Sequence, residues 1–406
     1  MTDQHSNSET AQNGPLTGIR VLELGSLIAG PFASRMLGEF GAEVIKVETP
    51  GSGDPIRKWR VLHEGNSLWW AVQARNKKSI TLNLKAEEGL AVLRKLIESA
   101  DMLVENFRPG QLEKWGLSPE QLQAMNPALI VVRLSGYGQT GPYKDRPGFG
   151  AIAESIGGMR FLSGDTDRPP VRVGISIGDS LAGLHAVIGA LMALQHRHKT
   201  GKGQVVDVAL YESVFNMMES LLPEYDFAGV VRKRSGASLP GIVPSNTYTC
   251  GCGGFIVIGG NGDAIFKRLM LAMGRSDFAE NPDMASNDGR VRHTELIDDT
   301  IAQWCKERSI DEALDVLEKA DVPASKIYSI EDIVHDPQFA ARGMIEEHAF
   351  GEDRTLKVPG IVPKLSATPG QTRWLGPKLG EHNAQVLADL GYSAEDIQRM
   401  VDEGII

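Results

Sequence analysis

Gly18-Ile-Arg-Val-Leu-Glu-Leu24 and Ala42-Glu-Val-Ile-Lys-Val47, with Pro31–Phe40 between them, decide the fold. The outer segments are short apolar runs rich in β-branched residues. In the middle segment Phe32, Met36 and Leu37 fall at helical spacing. Strand, helix and strand within about thirty residues make a βαβ unit, whose right-handed crossover requires a parallel sheet. The pattern repeats, with an amphipathic helix over 85–99, a strand at 102–104, a helix over 119–125 and the buried strand Leu129-Ile-Val-Val-Arg-Leu134. An Ala-, Gly- and Leu-rich helix is expected over 180–197, its small residues suiting close packing on both sides. Gly201-Lys-Gly203 ends it, and a strand over 204–210 and a helix over 211–222 follow. The first half is therefore α/β. Between 226 and 332 a strand at 255–258 precedes helices over 264–273, 294–306 and 309–319, as in a smaller α+β domain. A strand at 357–358 and a last amphipathic helix over 381–390 complete the chain.

Composition narrows the function. At 406 residues the chain exceeds the roughly 250–300 at which a single core stops growing, so two domains are expected. It is 42% hydrophobic and 23% charged, which fits a globular protein and excludes collagenous or disordered classes. A net charge of −10 argues against a general nucleic-acid binder, which needs a dominant basic face. Cys250, Cys252 and Cys305 are too few, and odd in number, for a disulfide framework; they suit a reducing compartment. Cys250-Gly-Cys252 lacks the second Cys or His pair of a zinc finger, so no metal is expected. Residues 1–14 are polar, without the basic and apolar regions of a signal peptide, and are expected to be a disordered tail. The longest near-apolar stretch, around Ile188–Leu194, falls short of the roughly 18–20 residues that span a bilayer. A cytoplasmic protein without membrane or nucleic-acid partners is expected.

Common catalytic motifs do not settle the chemistry. There is no phosphate-binding G-x-x-x-x-G-K-[ST], and Gly25 and Gly30 are wrongly spaced for a dinucleotide fingerprint. Gly260-Asn-Gly262 lacks a third glycine. No H-E-x-x-H occurs. His196 and His198, with Arg197 and Lys199, suit the C-terminal end of a helix dipole.

Gly178-Asp179-Ser180 opens the small-residue helix. Asp179 has two readings on its own sequence: an ordinary N-cap, or a carboxylate kept ionised at a helix N-terminus and available as a nucleophile. Its neighbours favour the second. Gly18–Leu24 with Ala29-Gly-Pro31, Leu37–Glu48 with Gly51-Ser-Gly-Asp54, and Arg75-Asn-Lys-Lys-Ser-Ile80 resemble, in order, the opening of a class III CoA-transferase. Val104-Glu-Asn-Phe-Arg-Pro-Gly110, Ser135-Gly-Tyr-Gly-Gln-Thr-Gly-Pro142, Lys199-Thr-Gly-Lys-Gly-Gln204 and Leu379-Gly-Glu-His382 extend the resemblance along the chain. The family includes formyl-CoA transferase, L-carnitine dehydratase and bile-acid-inducible proteins.

The resemblance implies a Rossmann-like large domain over 15–225 plus 333–406, a small α+β domain over 226–332, and an interlocked homodimer. It implies acyl-CoA and a carboxylic acid as substrates, CoA as co-substrate, no permanently bound cofactor, and Asp179 as nucleophile. The family's CoA-contacting stretches fall on Ile28 and Ala29, on Leu82, Asn83, Leu84 and Lys85, and on Asn106, Phe107 and Arg108. Lys114 and Ser135, Gly136, Tyr137 and Gly138 complete the set. Three positions depart from formyl-CoA transferase: Thr49 and Lys114 stand in place of arginines and Ser135 in place of a lysine. Lysine does not reproduce the bidentate phosphate contact of arginine. Pro240-Gly-Ile-Val-Pro244 looks more like relatives acting on succinate or glutarate, so transfer from succinyl-CoA to a dicarboxylate is expected. An α-methylacyl-CoA racemase-like isomerase is the alternative in the same fold. Racemases carry a Gly-His-Asp step where this chain has Gly148-Phe149-Gly150, and Phe149 cannot move a proton. A catalytically silent CoA-binding protein is the alternative of another class.

Overall fold

The computed structural model describes residues 14–406. Residues 1–13 of the expected tail lie outside the described residues. Gly14, which was counted with the tail, packs instead on the Phe40 carbonyl, 2.2 Å from where a Cβ would stand. By internal contacts the chain divides into two compact units. One takes the chain up to Met159, then Val173–Leu222 and Arg342–Ile406; the other takes Arg160–Arg172 and Pro223–Ala341. Residues 160–172 and 333–341 thus group with the smaller unit.

Strands β1 (Arg20–Glu23), β2 (Glu43–Glu48), β3 (Lys77–Thr81), β4 (Met102–Glu105), β5 (Ile130–Ser135) and β6 (Val205–Ala209) form one sheet in the order β3-β2-β1-β4-β5-β6. Every pairing is parallel. Val21 lies opposite both Val44 and Met102. Because side chains alternate across a strand, Val21, Met102 and Ile130 enter the core on one face, while Leu22, Leu103 and Val131 enter a second core on the other. Sheets buried on both faces need such unbroken apolar strands. The strand order reverses between β1 and β4, and open α/β sheets bind ligands in the crevice at that point, beyond the carboxyl ends of the strands.

Helix α1 (Ala29–Glu39) is the crossover from β1 to β2 and buries Ala29, Ala33 and Leu37. It packs on α3 (Ile177–Thr200), which also meets α2 (Gly150–Ile156) and α4 (Leu210–Phe215). The small residues of α3 serve this packing. A Cβ on Gly183 would stand 2.7 Å from the Phe32 ring and 3.1 Å from the Ala29 carbonyl. Helix α3 is longer than the sequence pattern suggested. Its 24 residues reach the length and apolarity of a membrane span, with mean hydropathy 1.6 over 18 residues. The near-apolar stretch around Ile188–Leu194 is thus part of a longer run. Its inner face, Ala182, Ala186, Ala190 and Ala193, is core. The expected helix over 211–222 is broken, with α4 ending at Phe215 and a new helix starting at Leu221. The helix expected over 381–390 is present as Asn383–Asp389, and a further one that was not expected, Ala394–Asp402, follows it.

The smaller unit holds a three-stranded antiparallel sheet, β7 (Ser245–Thr249), β8 (Phe255–Gly259) and β9 (Ala324–Lys326), with β8 central. Helices Asp263–Ala272, Thr294–Lys306 and Ile310–Lys319 cover a core that includes Ile256, Ile258, Leu269 and Ile301. Arg290 is wholly buried there, donating to the carbonyls of Val243, Met284 and Asn261 and to Asp263. A buried charge needs partners on this scale.

Candidate active site

Two cavities lie at the sheet's carboxyl edge, beyond β1 and β4. The larger, about 680 Å³, is walled by Gly25 and Ser26, by Lys46–Thr49, by Ser52–Pro55, by Leu82–Lys85, and by Phe107 and Trp115. The smaller, about 200 Å³, is walled by Ser26–Ala29, Asn106–Arg108, Ser135, Gly136, Lys144, Arg146–Phe149 and Asp179. Ser26 and Phe107 belong to both walls. Phe107 is braced by an edge-on contact to Trp115, 5.2 Å between ring centres.

Asp179 is the third residue of α3, and Ser176 holds the N-cap position without a side-chain bond. The N-cap reading of Asp179 is therefore replaced: its carboxylate sits within the first turn, where the helix dipole stabilises negative charge. It is half-buried and presses on the start of α2. A Cβ placed on Gly150 would stand 2.0 Å from Asp179 Oδ2. Gly178 lies equally close, its Cβ position 2.9 Å from the Gly150 carbonyl oxygen and 3.3 Å from Glu154 Cγ. Only paired glycines let the two helix starts approach so closely. Glu154 is buried on α2 beside this contact.

Most of the expected CoA contacts gather here. Ile28, Ala29, Asn106, Arg108, Ser135 and Gly136 line the Asp179 cavity; Leu82, Asn83, Leu84 and Lys85 line the larger one; Phe107 lines both. Thr49 also faces the larger cavity. Ser135 Oγ is buried without a hydrogen-bond partner. Three residues depart from expectation. Lys114 is exposed on a short helix and lines neither cavity. Tyr137 and Gly138 are also outside both walls. The Tyr137 ring packs between Tyr143 and Tyr211, and Gly138 turns the chain with φ +85°. Asn106 is inside the wall, yet its amide is taken up by the backbone of Ser26, which it binds at both ends. Phe149, the residue in place of a racemase histidine, is 67% exposed on the Asp179 cavity. Among the described residues no group of three His, Cys, Asp or Glu side chains could hold a metal.

One part of the wall had no signal in the sequence. Lys46, almost fully buried, binds Glu23 at 2.7 Å and Asp54 at 2.9 Å, while Lys77 binds the other oxygen of Glu23 at 2.6 Å. Burial works against both ammonium groups. For Lys46 the charges of Glu23, Asp54 and Glu48 outweigh it and raise the pKa above the usual lysine range. Lys77 has a smaller share of that attraction and is repelled by Lys46, so burial pushes it down to about 8. A folded pKa below the unfolded value of about 10.4 means that the unfolded chain holds more protons between them. Stability from this group therefore rises with pH from about 8 to about 10. Urea midpoints measured across that window should climb in the wild type and stay flatter in Lys77→Met.

Residues 16–383 match the family model for CoA-transferase family III. The chain belongs to CoA-transferase family III. It is 48% identical to the succinyl-CoA–D-citramalate CoA-transferase of Chloroflexus aurantiacus over 97% of this chain and 98% of that one. It is 36% identical to the succinate–glutarate CoA-transferase of Agrobacterium fabrum, covering 93% and 96%. Among solved structures it is similar to a CAIB/BAIF family protein from Brucella suis, with TM-score 0.81 and 35% identity over 93% of this chain and all of that one. The family-III chain is thus an enzyme of the CoA-transferase class with a mixed α/β fold.

Proposed function

We propose that this chain transfers CoA from succinyl-CoA to a dicarboxylic acid, with Asp179 as the covalent nucleophile. One observation carries the reading: Asp179 lines a small cavity that shares Ser26 and Phe107 with a larger one of about 680 Å³. The activities of the relatives from Chloroflexus and Agrobacterium, a succinyl-CoA–D-citramalate and a succinate–glutarate CoA-transferase, support the donor and the acceptor class.

The chemistry follows from these parts. Asp179 attacks the thioester carbonyl of succinyl-CoA; the C–S bond breaks, CoA leaves as thiolate, and a mixed anhydride joins Asp179 to succinate. The thiolate then attacks the Asp179 carbonyl and releases succinate, leaving CoA on Asp179 as a thioester. An acceptor carboxylate attacks that thioester, and the same steps in reverse yield the new acyl-CoA. The energy of the thioester is kept only where water is excluded, which suits a cavity smaller than the roughly 300–1,000 Å³ of ordinary ligand pockets. Lys85 at the larger cavity and Arg108 at the smaller supply cations for CoA phosphates.

The active form is a homodimer, interlocked as the family resemblance implies. Leu184, Ile188, Leu191 and Met192 form an exposed apolar stripe on α3, with Met192 67% accessible. Such a stripe is costly to leave in water. Sedimentation over a dilution series should show no compact folded monomer; a stable one would remove the dimer from the reading. The three free cysteines suit a cytoplasmic setting.

Intact-protein mass spectrometry after a brief mix with succinyl-CoA tests the reading. A CoA-sized adduct, discharged by a dicarboxylate with formation of its CoA thioester, is expected. Absence of both adduct and transfer would overturn it.

A further inference from the structure

The turn between β1 and α1 is held by side chains from elsewhere in the unit at each successive residue. Lys46 Nζ donates to the Gly25 carbonyl at 2.7 Å. Asn106 accepts from the Ser26 N–H and donates to the Ser26 carbonyl, both at 2.8 Å. The Leu27 N–H donates to both oxygens of Asp54 at 3.1 Å, and Gln73 donates to the Ile28 carbonyl at 3.0 Å. Leu27 has φ +66°, a left-handed conformation that L side chains rarely adopt. Backbone strain of this kind persists only where surrounding contacts over-determine it. Asp54 is fixed in turn. Lys46 pairs with it at 2.9 Å, Ile56 N–H donates to it, and its own N–H donates to Glu48. Glu48 holds Arg57, whose guanidinium lies 3.7 Å over the Trp70 ring.

We propose that Asp54 is a positioning residue for CoA transfer, acting through Leu27 to fix the turn that carries Ser26, Ile28 and Ala29 past Asp179. This rests on the transferase reading above. Ser26 stands in the walls of both cavities, so a ligand that reaches from the larger to the smaller passes this turn. The residues after it, Ile28 and Ala29, wall the space in which Asp179 meets its substrate. Loosening the turn misplaces the reacting carbonyl and leaves the far end of CoA, beside Leu82–Lys85, where it was. A displacement of about 1 Å is enough to cost on the order of 100-fold in rate. Burial raises the Asp54 carboxyl's pKa, but Lys46 and the two N–H donors more than offset this and hold it below its ordinary value. The clamp is therefore ionised throughout the neutral range.

Asp54→Ala and Asp54→Asn separate positioning from simple stability. Both remove the charge that pairs with Lys46; only the amide keeps an oxygen for the Leu27 N–H. Asp54 also lines the larger cavity, so we expect kcat for transfer to fall about 100-fold in Asp54→Ala while the dissociation constant for CoA rises by less than about tenfold. Asp54→Asn should recover at least tenfold of that loss at equal thermal stability. Gln73→Ala, which frees the Ile28 carbonyl without leaving a buried charge unpaired and lines neither cavity, should give the same kcat-selective loss if Asp54→Ala does not fold. Equal kcat in the two Asp54 variants, or losses in all three that follow only the folded fraction, would overturn the positioning role. An enzyme that transfers CoA normally in these variants sinks Asp54 alone, whereas a wild type that never forms the CoA adduct sinks the transferase reading with it.

Discussion

Asp179→Ala is expected to lower transfer by at least about 10⁴-fold, since removing the nucleophile of a covalent mechanism leaves only binding and polarisation. CoA should still bind, because the residues that wall the larger cavity are untouched. The stability cost should be small. Asp179 is half-buried in the first turn of α3, and losing its favourable interaction with the helix N-terminus is worth roughly 0.3–1 kcal/mol. Calorimetric titration with CoA and mass spectrometry with succinyl-CoA read the two halves separately: unchanged affinity, no adduct. Measurable turnover in the variant would move the nucleophile to another residue.

Gly150→Ala should silence the enzyme almost as well without touching Asp179. The new Cβ would stand 2.0 Å from Asp179 Oδ2, 2.7 Å from Cγ and 3.2 Å from the Asp179 backbone nitrogen. Ordinary van der Waals contact needs well over an ångström more, so the carboxylate must swing away. A side-chain tip can move, and the chain should still fold. Gly150 is the first residue of α2, where alanine is favoured over glycine by up to about 1 kcal/mol. A variant of undiminished melting temperature with kcat reduced about 100-fold or more is the expected result, read from a thermal scan and initial rates on one preparation. Normal rates would mean that the carboxylate does not act from the position described.

Five strands of the sheet were legible because they are apolar runs joined by crossovers of helical spacing; β3, Lys77-Lys-Ser-Ile-Thr81, was not, because its polar residues carry no apolar run although they are mostly buried. Val21 and Leu22 enter different cores, yet both are written as apolar residues in one run. The start of α3 was not legible. Ile177-Gly178 looks like loop, and Asp or Ser before an apolar run looks like a cap, so the helix was expected to begin at Ser180. Nothing in the spacing of Gly150 and Asp179 announces a contact between two helix starts 29 residues apart in sequence. The chain of Glu23, Lys46, Asp54 and Lys77 was hidden for a different reason. Charged residues in a strand or loop are ordinarily surface groups, and only three-dimensional burial marks these as partners. Lys114 and Tyr137 were expected from motif position alone and line neither cavity: one side chain is exposed on a short helix and the other stands in an aromatic stack.

All six strands of the parallel sheet are made before residue 210, and most of the smaller unit, Pro223–Ala341, is synthesised afterwards. The nascent chain therefore has its sheet and its Asp179 helix long before the wall of its larger cavity is finished. Asn83 N–H binds the Ile405 carbonyl at 2.7 Å, and Gly404 itself lines the larger cavity. Thr81 N–H and the His382 N–H cross-link β3 to the returning segment through Asn383 and Ser79. The wall of the larger cavity is thus completed by a segment made well after the sheet, so a chain cut before Gly404 has a formed sheet with an open pocket.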